Sequence, residues 1–219
     1  MEDEMVVTVQ LRQIDLQPGQ CLVLREISWP EFEAILDEIG EHRSSRIAYF
    51  HGVLEIRMPL PEYEVNKELI GDMVKLLLDE LEQDWEPYGS TTFKRREMAA
   101  GIEPDTCFYI QNAHRMIGKR RLNLSVDPHP DLAIEIDVTS KTQLSAYVAL
   151  GVPELWCYGE GKLQIFVLRE GEYVEVETSP TFGDLPIIEG ILQFLKISET
   201  QGASVARRGF RQWVRQALA

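Results

Sequence analysis

The chain has 219 residues, 44% hydrophobic and 26% charged, which suits one compact domain with a small terminal appendage and excludes disorder and fibrous repeats. Twenty-two Lys and Arg against 36 Asp and Glu leave a net charge of −14, so most of the surface repels polyanions and a broad nucleic-acid-coating role is disfavoured. Cys21, Cys107 and Cys157 show no CxxC or Cys/His spacing. They offer neither a disulfide framework nor a structural zinc site and point to a reducing, cytoplasmic setting. The acidic start Met1-Glu2-Asp3-Glu4-Met5 does not read as a signal peptide, and no apolar run reaches membrane-spanning length.

After an extended start, Ser28-Trp29-Pro30-Glu31 supplies a capping serine, a first-turn proline and an acid, predicting a helix from Trp29 to Ile39. Ile47 to Met58 around His51-Gly52 predicts a β-hairpin. Pro59 and Pro61 stop its second strand. From Glu62 to Glu82, Val65, Leu69, Met73, Leu76 and Leu77 share one stripe of the longest helix expected. Strand patterns occupy Ile102–Ile110, Asp131–Val138, Leu155–Tyr158, Leu163–Leu168 and Tyr173–Glu177, the last two joined at Glu170-Gly171. Ser140 and Gln143 form a capping box for a helix that Gly151 stops. No repeat, linker, GxGxxG or P-loop appears. The order predicts one α/β domain over 1–198, a sandwich on a mixed sheet flanked by helices, and a tail over 199–219. In that tail Arg207, Phe210, Arg211, Val214 and Arg215 fit a helix with a basic face.

The most informative stretch is Asp131-Leu132-Ala133-Ile134-Glu135-Ile136-Asp137-Val138. Strand alternation puts Leu132, Ile134, Ile136 and Val138 on one face, and Glu135 and Asp137 with Ala133 on the other. Two carboxylates on the inner face of a central strand repel unless a metal or lysine joins them; on an edge strand the same face is merely wet. In Glu103-Pro104-Asp105 the proline keeps Glu103 extended and leads Asp105 into the next strand, where it can neighbour Glu135. Magnesium takes oxygen ligands and retains water, so a few convergent carboxylates suffice.

Lys141 falls in the first turn of its helix, where the macrodipole disfavours a cation; it either lies near an acid or is an exposed lysine. Glu62 sits in line with the long helix's apolar stripe, as a favourable first-turn charge or as an acid reaching the cleft of Asp105 and Glu135, with Glu64 and Glu68 pointing more outward. The histidines His42, His51, His114 and His129 lack metal-ligand spacing, and no GxSxG or Cys/His signature supports a nucleophilic triad. Basic residues cluster at Lys94-Arg95-Arg96, at Lys119-Arg120-Arg121 and along the tail, as solvated faces or as phosphate contacts.

Glu103-Pro104-Asp105, Asp131-Leu132-Ala133-Ile134-Glu135-Ile136 and Tyr147-Val148-Ala149-Leu150-Gly151-Val152-Pro153-Glu154-Leu155-Trp156 together resemble a bacterial family described as "putative restriction endonuclease", formerly a domain of unknown function and a branch of the PD-(D/E)XK nuclease superfamily. The likeness runs from about Ser28 to Ile188 and includes Met58-Pro59-Leu60-Pro61-Glu62. It implies a restriction-endonuclease-like core and a DNA endonuclease that cleaves phosphodiester bonds with a metal-activated water. Asp105 and Glu135 would bind Mg2+ or Mn2+ with Asp137 as a further ligand, and Glu62 or one of its neighbours would be the helix acid. The superfamily lysine position falls at Asp137, so the resemblance assigns its role to Lys141; Tyr63 stands where relatives often have histidine. A homodimer would repeat the basic patches across two copies. The alternatives are a nuclease fold that binds DNA, or acts as a scaffold, with impaired catalysis, and a carboxylate-pair hydrolase acting on sugars.

Overall fold

The computed structural model describes residues 9–40, 44–137 and 140–219. Val138, expected on the apolar face of its strand, and His42 lie outside them, as do Met1–Met5. Strand β1 (Cys21–Leu24) precedes α1 (Trp29–Ile39), where Ser28 and Glu31 close the expected capping box. The hairpin β2 (Arg46–Phe50) and β3 (Val53–Arg57) turns at His51-Gly52, both in left-handed conformation. There follow α2 (Pro61–Glu80), β4 (Glu86–Pro87), β5 (Phe93–Arg95), β6 (Ala100–Ile102), β7 (Thr106–Tyr109), α3 (Ala113–Met116), β8 (Leu132–Ile136), α4 (Lys141–Leu150), β9 (Glu154–Gly159), β10 (Lys162–Arg169), β11 (Glu172–Val176), α5 (Ile187–Gln201) and α6 (Ala203–Ala217).

The protein is mixed α/β with flanking helices, and its strands divide between two sheets. One is antiparallel in the order β1-β3-β2-β6-β5; the other runs β11-β10-β9-β8-β7-β4, with β8 and β9 parallel across α4. The segment expected as one strand, Ile102–Ile110, is therefore two. Pro104 has no N–H to give a ladder, and the chain crosses there from the first sheet to the second, with β6 ending at Ile102 and β7 starting at Thr106.

Leu132, Ile134 and Ile136 of β8 pack against Leu69, Met73 and Leu77 of α2, and α5 and α6 extend this core. Ala133 faces Ala146 and Tyr147 of α4. Both faces of β8 are thus covered, which is why all five of its residues are buried. The α2 stripe begins only at Leu69, for Val65 is 60% exposed. On the first sheet, Phe32 of α1 lies over Gly101, where a Cβ would stand 2.8 Å from the Phe32 ring.

The position 198/199 falls inside α5. On α6 the buried Ala206, Phe210 and Val214 recur every fourth residue and face α5 and α2. Phe210 meets Phe194 edge-on at 5.6 Å and stacks on Trp213 at 5.4 Å. Arg207 pairs with Asp72, and Arg211 and Arg215 pair with Glu80. Such exposed pairs are screened by solvent and contribute little, whereas burying the Phe210 ring contributes about 1.5–3 kcal/mol, so apolar packing dominates the docking of this helix.

Candidate active site

On the hairpin, Arg46, Ala48 and Phe50 share a face with Glu55 and Arg57, opposite the apolar Ile47, Tyr49, Leu54 and Ile56. Alternation alone would leave that polar face in water. Instead α4 packs against β2, β3 and β6, and the hairpin's charged side chains are enclosed between the two sheets. They meet the C-terminal end of β8 and the first turns of α4.

Asp105 and Glu135 converge there. Thr106 opposes Ile134 in the antiparallel β7–β8 ladder, so one step further Asp105 comes opposite Glu135. Asp105 is 6% exposed; its Oδ2 accepts the Ile136 N–H at 2.8 Å, and its Oδ1 lies 3.3 Å from Arg46 Nε. Glu135 is 0% exposed. The Tyr147 hydroxyl donates to its Oε1 at 2.5 Å, while Oε2 has no hydrogen-bond partner and faces Arg57 Nη2 at 3.5 Å.

Burial, reinforced by the negative charge of Asp105, pushes the Glu135 carboxyl up to about 8, with Arg57 and Tyr147 opposing. Burial also raises the Tyr147 phenol, and Glu135 adds to the effect. For Arg57, burial disfavours the charge, but Glu135 and Asp105 prevail and raise it above the ordinary arginine value. Arg57 Nη1 further donates to the Asp137 carbonyl at 2.9 Å. With its amide turned to satisfy both groups, Gln143 accepts from Arg57 at 2.5 and 3.2 Å. The guanidinium is thus fixed in position.

Asp137 does not continue the alternation. The strand ends at Ile136, and Asp137 turns into the left-handed region with φ 61°. Its N–H is held by the Tyr158 carbonyl at 2.7 Å and its carboxylate accepts the Tyr63 hydroxyl at 2.9 Å. That hydrogen bond, followed by burial, raises the Tyr63 phenol. Lys141 is exposed at the start of α4 and makes no hydrogen bond or ion pair with a described residue. Glu62 is likewise exposed, on the outward side of the first turn of α2. The helix acid that faces the cleft is its neighbour Glu64, 3.3 Å from Arg46 and paired with Lys67. Gln143 keeps its capping contact, its N–H reaching the Ser140 hydroxyl at 3.2 Å, and the same hydroxyl donates to Glu55 at 2.6 Å.

Arg46, Arg57 and Tyr147 are the participants that the sequence reading missed. A signal exists for the arginines: both stand on the polar face of a hairpin whose other face is fully apolar.

Among the described residues no three His, Cys, Asp or Glu side chains form a metal-holding group. A hard divalent cation is nevertheless compatible with the donors present, because magnesium is commonly held by one or two carboxylates with water and substrate oxygens completing its shell. The orphaned Glu135 Oε2, buried beside the Asp105 carboxylate, is a donor that such a cation would satisfy. The two arginines add fixed positive charge that can face a phosphate but cannot accept a proton, since a guanidinium stays charged.

No curated protein matches the chain. A crystal structure described as "a putative nuclease belonging to DUF820", from Anabaena variabilis ATCC 29413, is similar over 75% of this chain and 96% of that one, with 15% identity and a TM-score of 0.49. The model of the Uma2 family, described as "Putative restriction endonuclease", matches residues 29–198, and the chain belongs to that family.

Proposed function

We propose that the protein is a magnesium- or manganese-dependent DNA endonuclease whose centre is the Asp105–Glu135 pair. The observation that carries this reading is the meeting of two buried carboxylates from adjoining strands with one oxygen, Glu135 Oε2, lacking a hydrogen bond. Asp105 and Glu135 would hold the cation. When bound it would lower the pKa of water and offset charge on the phosphate.

The protein's own groups do the rest. Asp105 is aimed by the Ile136 N–H and Glu135 by the Tyr147 hydroxyl, so neither carboxylate needs to reorganise. Arg57, braced by Asp137 and Gln143, presents a permanent positive charge toward a phosphate oxygen. It takes the charge-stabilising part that the superfamily gives to lysine. Burial keeps Glu135 protonated at neutral pH, and the carboxyl must lose that proton before it can ligate.

A second reading has its own observation. Arg57 and Arg46 already stand at 3.5 and 3.3 Å from the two acids, as in a fold that binds DNA without cutting it. Nicking of supercoiled plasmid separates the two. The endonuclease reading requires nicking with Mg2+ or Mn2+ that Asp105→Asn and Glu135→Gln abolish; nicking unchanged in both variants removes these acids from the mechanism. DNA binding without any nicking establishes the second reading. We further expect a homodimer, which would cut both strands of a duplex, and a cytoplasmic setting, supported by the three free thiols. Among the described residues no helix is long and apolar enough to cross a membrane.

A further inference from the structure

The three basic clusters meet different fates in the fold. On α6, Arg207 pairs with Asp72 and Arg211 and Arg215 pair with Glu80 of α2. The other two, Lys94 of β5 and Arg120-Arg121 of the segment after α3, are distant in sequence, yet both line one cavity of about 510 Å³ at the edge of the first sheet. Arg120 and Arg121 are exposed and form no hydrogen bond or ion pair with a described residue. Lys94 is paired with Glu33 at 3.1 Å. Ser90 stands in the same wall, and the Thr91 hydroxyl beside it donates to the Tyr88 carbonyl at 2.6 Å. Of the two acids there, Glu103 is buried and accepts the Thr92 hydroxyl, so Asp37 is the exposed acid facing three cations.

The cations are presented by a braced segment. The Tyr88 hydroxyl donates to the Met116 carbonyl at 2.8 Å, with the Lys119 carbonyl at 3.1 Å. The Lys119 ammonium pairs with the buried Asp127, whose carboxylate also takes the Asn123 N–H at 2.9 Å. Arg120 and Arg121 are therefore held between two anchored points, free for an external anion. Guanidinium forks beside hydroxyl donors match phosphate oxygens.

Position supplies the second strand of argument. Glu103 in the cavity wall precedes Asp105 by two residues, and Lys94, across from Gly101 and Tyr49, stands on the α1 face of the first sheet, opposite the face of Arg46 and Arg57. A DNA strand carries one phosphate per roughly 3.4 Å of helix axis. We infer that this cavity is a backbone-phosphate subsite for a DNA strand that rounds the β5 edge of the first sheet on its way to Asp105 and Glu135. This rests on the reading of those acids as a phosphodiester-cleaving centre, and it explains how a chain with a charge of −14 could hold a polyanion, by a local excess of unpaired cations.

The test is fluorescence-anisotropy binding of a labelled 20-base-pair duplex in EDTA, across a salt series. Removing two phosphate contacts in R120A/R121A should flatten the slope of log affinity against log salt by about 1.8 and weaken binding by roughly 60-fold at 0.1 M salt. R120K/R121K should recover most of that loss. R207A/R211A makes the same change of charge on α6 and should leave binding within about threefold of wild type. Equal affinity and slope in R120A/R121A and wild type, or equal losses in both alanine pairs, would overturn the inference. So would a wild type that does not bind the duplex. Plasmid nicking with Mg2+ keeps the two readings apart. Nicking without arginine-dependent binding sinks the subsite and leaves the endonuclease standing, whereas arginine-dependent binding without nicking does the reverse.

Discussion

Glu135→Gln removes one ionisable group while keeping the side chain's shape. In the unfolded chain this carboxyl ionises at its ordinary value of 4.5; in the folded protein it is pushed up to about 8. Between these limits the folded state keeps a proton that the unfolded state releases. The stability tied to that proton is fully present below pH 4.5 and is lost as pH rises through 8. The gap is 8 − 4.5 = 3.5 units, which at about 1.36 kcal/mol per unit is about 5 kcal/mol. Full burial leaves no solvent screening to discount. Urea unfolding of wild type and Glu135→Gln at half-unit steps from pH 4.5 to 9 isolates the effect, because every other acid is common to both proteins. The amide's contact with Arg57 adds only a pH-independent offset. Wild type should lose about 5 kcal/mol relative to the variant across the window, at about 1.4 kcal/mol per unit, and level off above pH 8. A stability difference that stays constant from pH 5 to 8 would refute the placement of Glu135 as a buried carboxyl beside Asp105.

The same proton should appear in metal binding. Calorimetry in buffers of different ionisation heat should show about 0.9 proton released per Mg2+ at pH 7 and about 0.1 at pH 9, while no release at pH 7 would mean that the cation bypasses Glu135. Arg57→Met leaves Glu135 without its nearest counter-charge and should cost about 3–5 kcal/mol in urea unfolding at pH 9, where Glu135 is ionised. Lys141→Met should shift stability by less than about 0.5 kcal/mol, and loss of nicking in this variant with retention in Arg57→Lys would return the cationic role to Lys141. Gly101→Ala puts a methyl within 2.8 Å of the Phe32 ring and should cost about 1–3 kcal/mol; an unchanged melting temperature would show that α1 can shift to make room.

Local punctuation made several elements legible. Ser28 with Glu31, His51-Gly52 and Gly151 each act through neighbours within a few residues and stand where they were expected, while Ser140 caps its helix through the Gln143 N–H alone because the Gln143 side chain turns to Arg57 instead of closing the capping box. Contacts between distant elements were not legible. Nothing local tells that Pro104 marks a change of sheet, or that α4 covers the polar face of the hairpin and thereby buries Arg46 and Arg57. Asp137 departs from strand alternation by turning into the left-handed region, where its carboxylate meets the Tyr63 hydroxyl of α2, a partner invisible in the sequence of β8 itself. Helix α5 is not among the elements read from the sequence, although Ile187, Ile191, Phe194 and Leu195 recur at helical spacing. The meeting of Asp105 with Glu135 was legible because it needs only two neighbouring strands in register.

Anomalous diffraction from crystals grown with Mn2+ tests most directly whether these two acids form a cation site. The account predicts a manganese peak bonded to both carboxylates, with Tyr147 still on Glu135 Oε1 and the Arg57 guanidinium drawn away from Oε2. Density in which Arg57 stays against Glu135 and no manganese lies between the acids, in crystals whose duplex nicking is nonetheless intact, would place the chemistry elsewhere in the molecule.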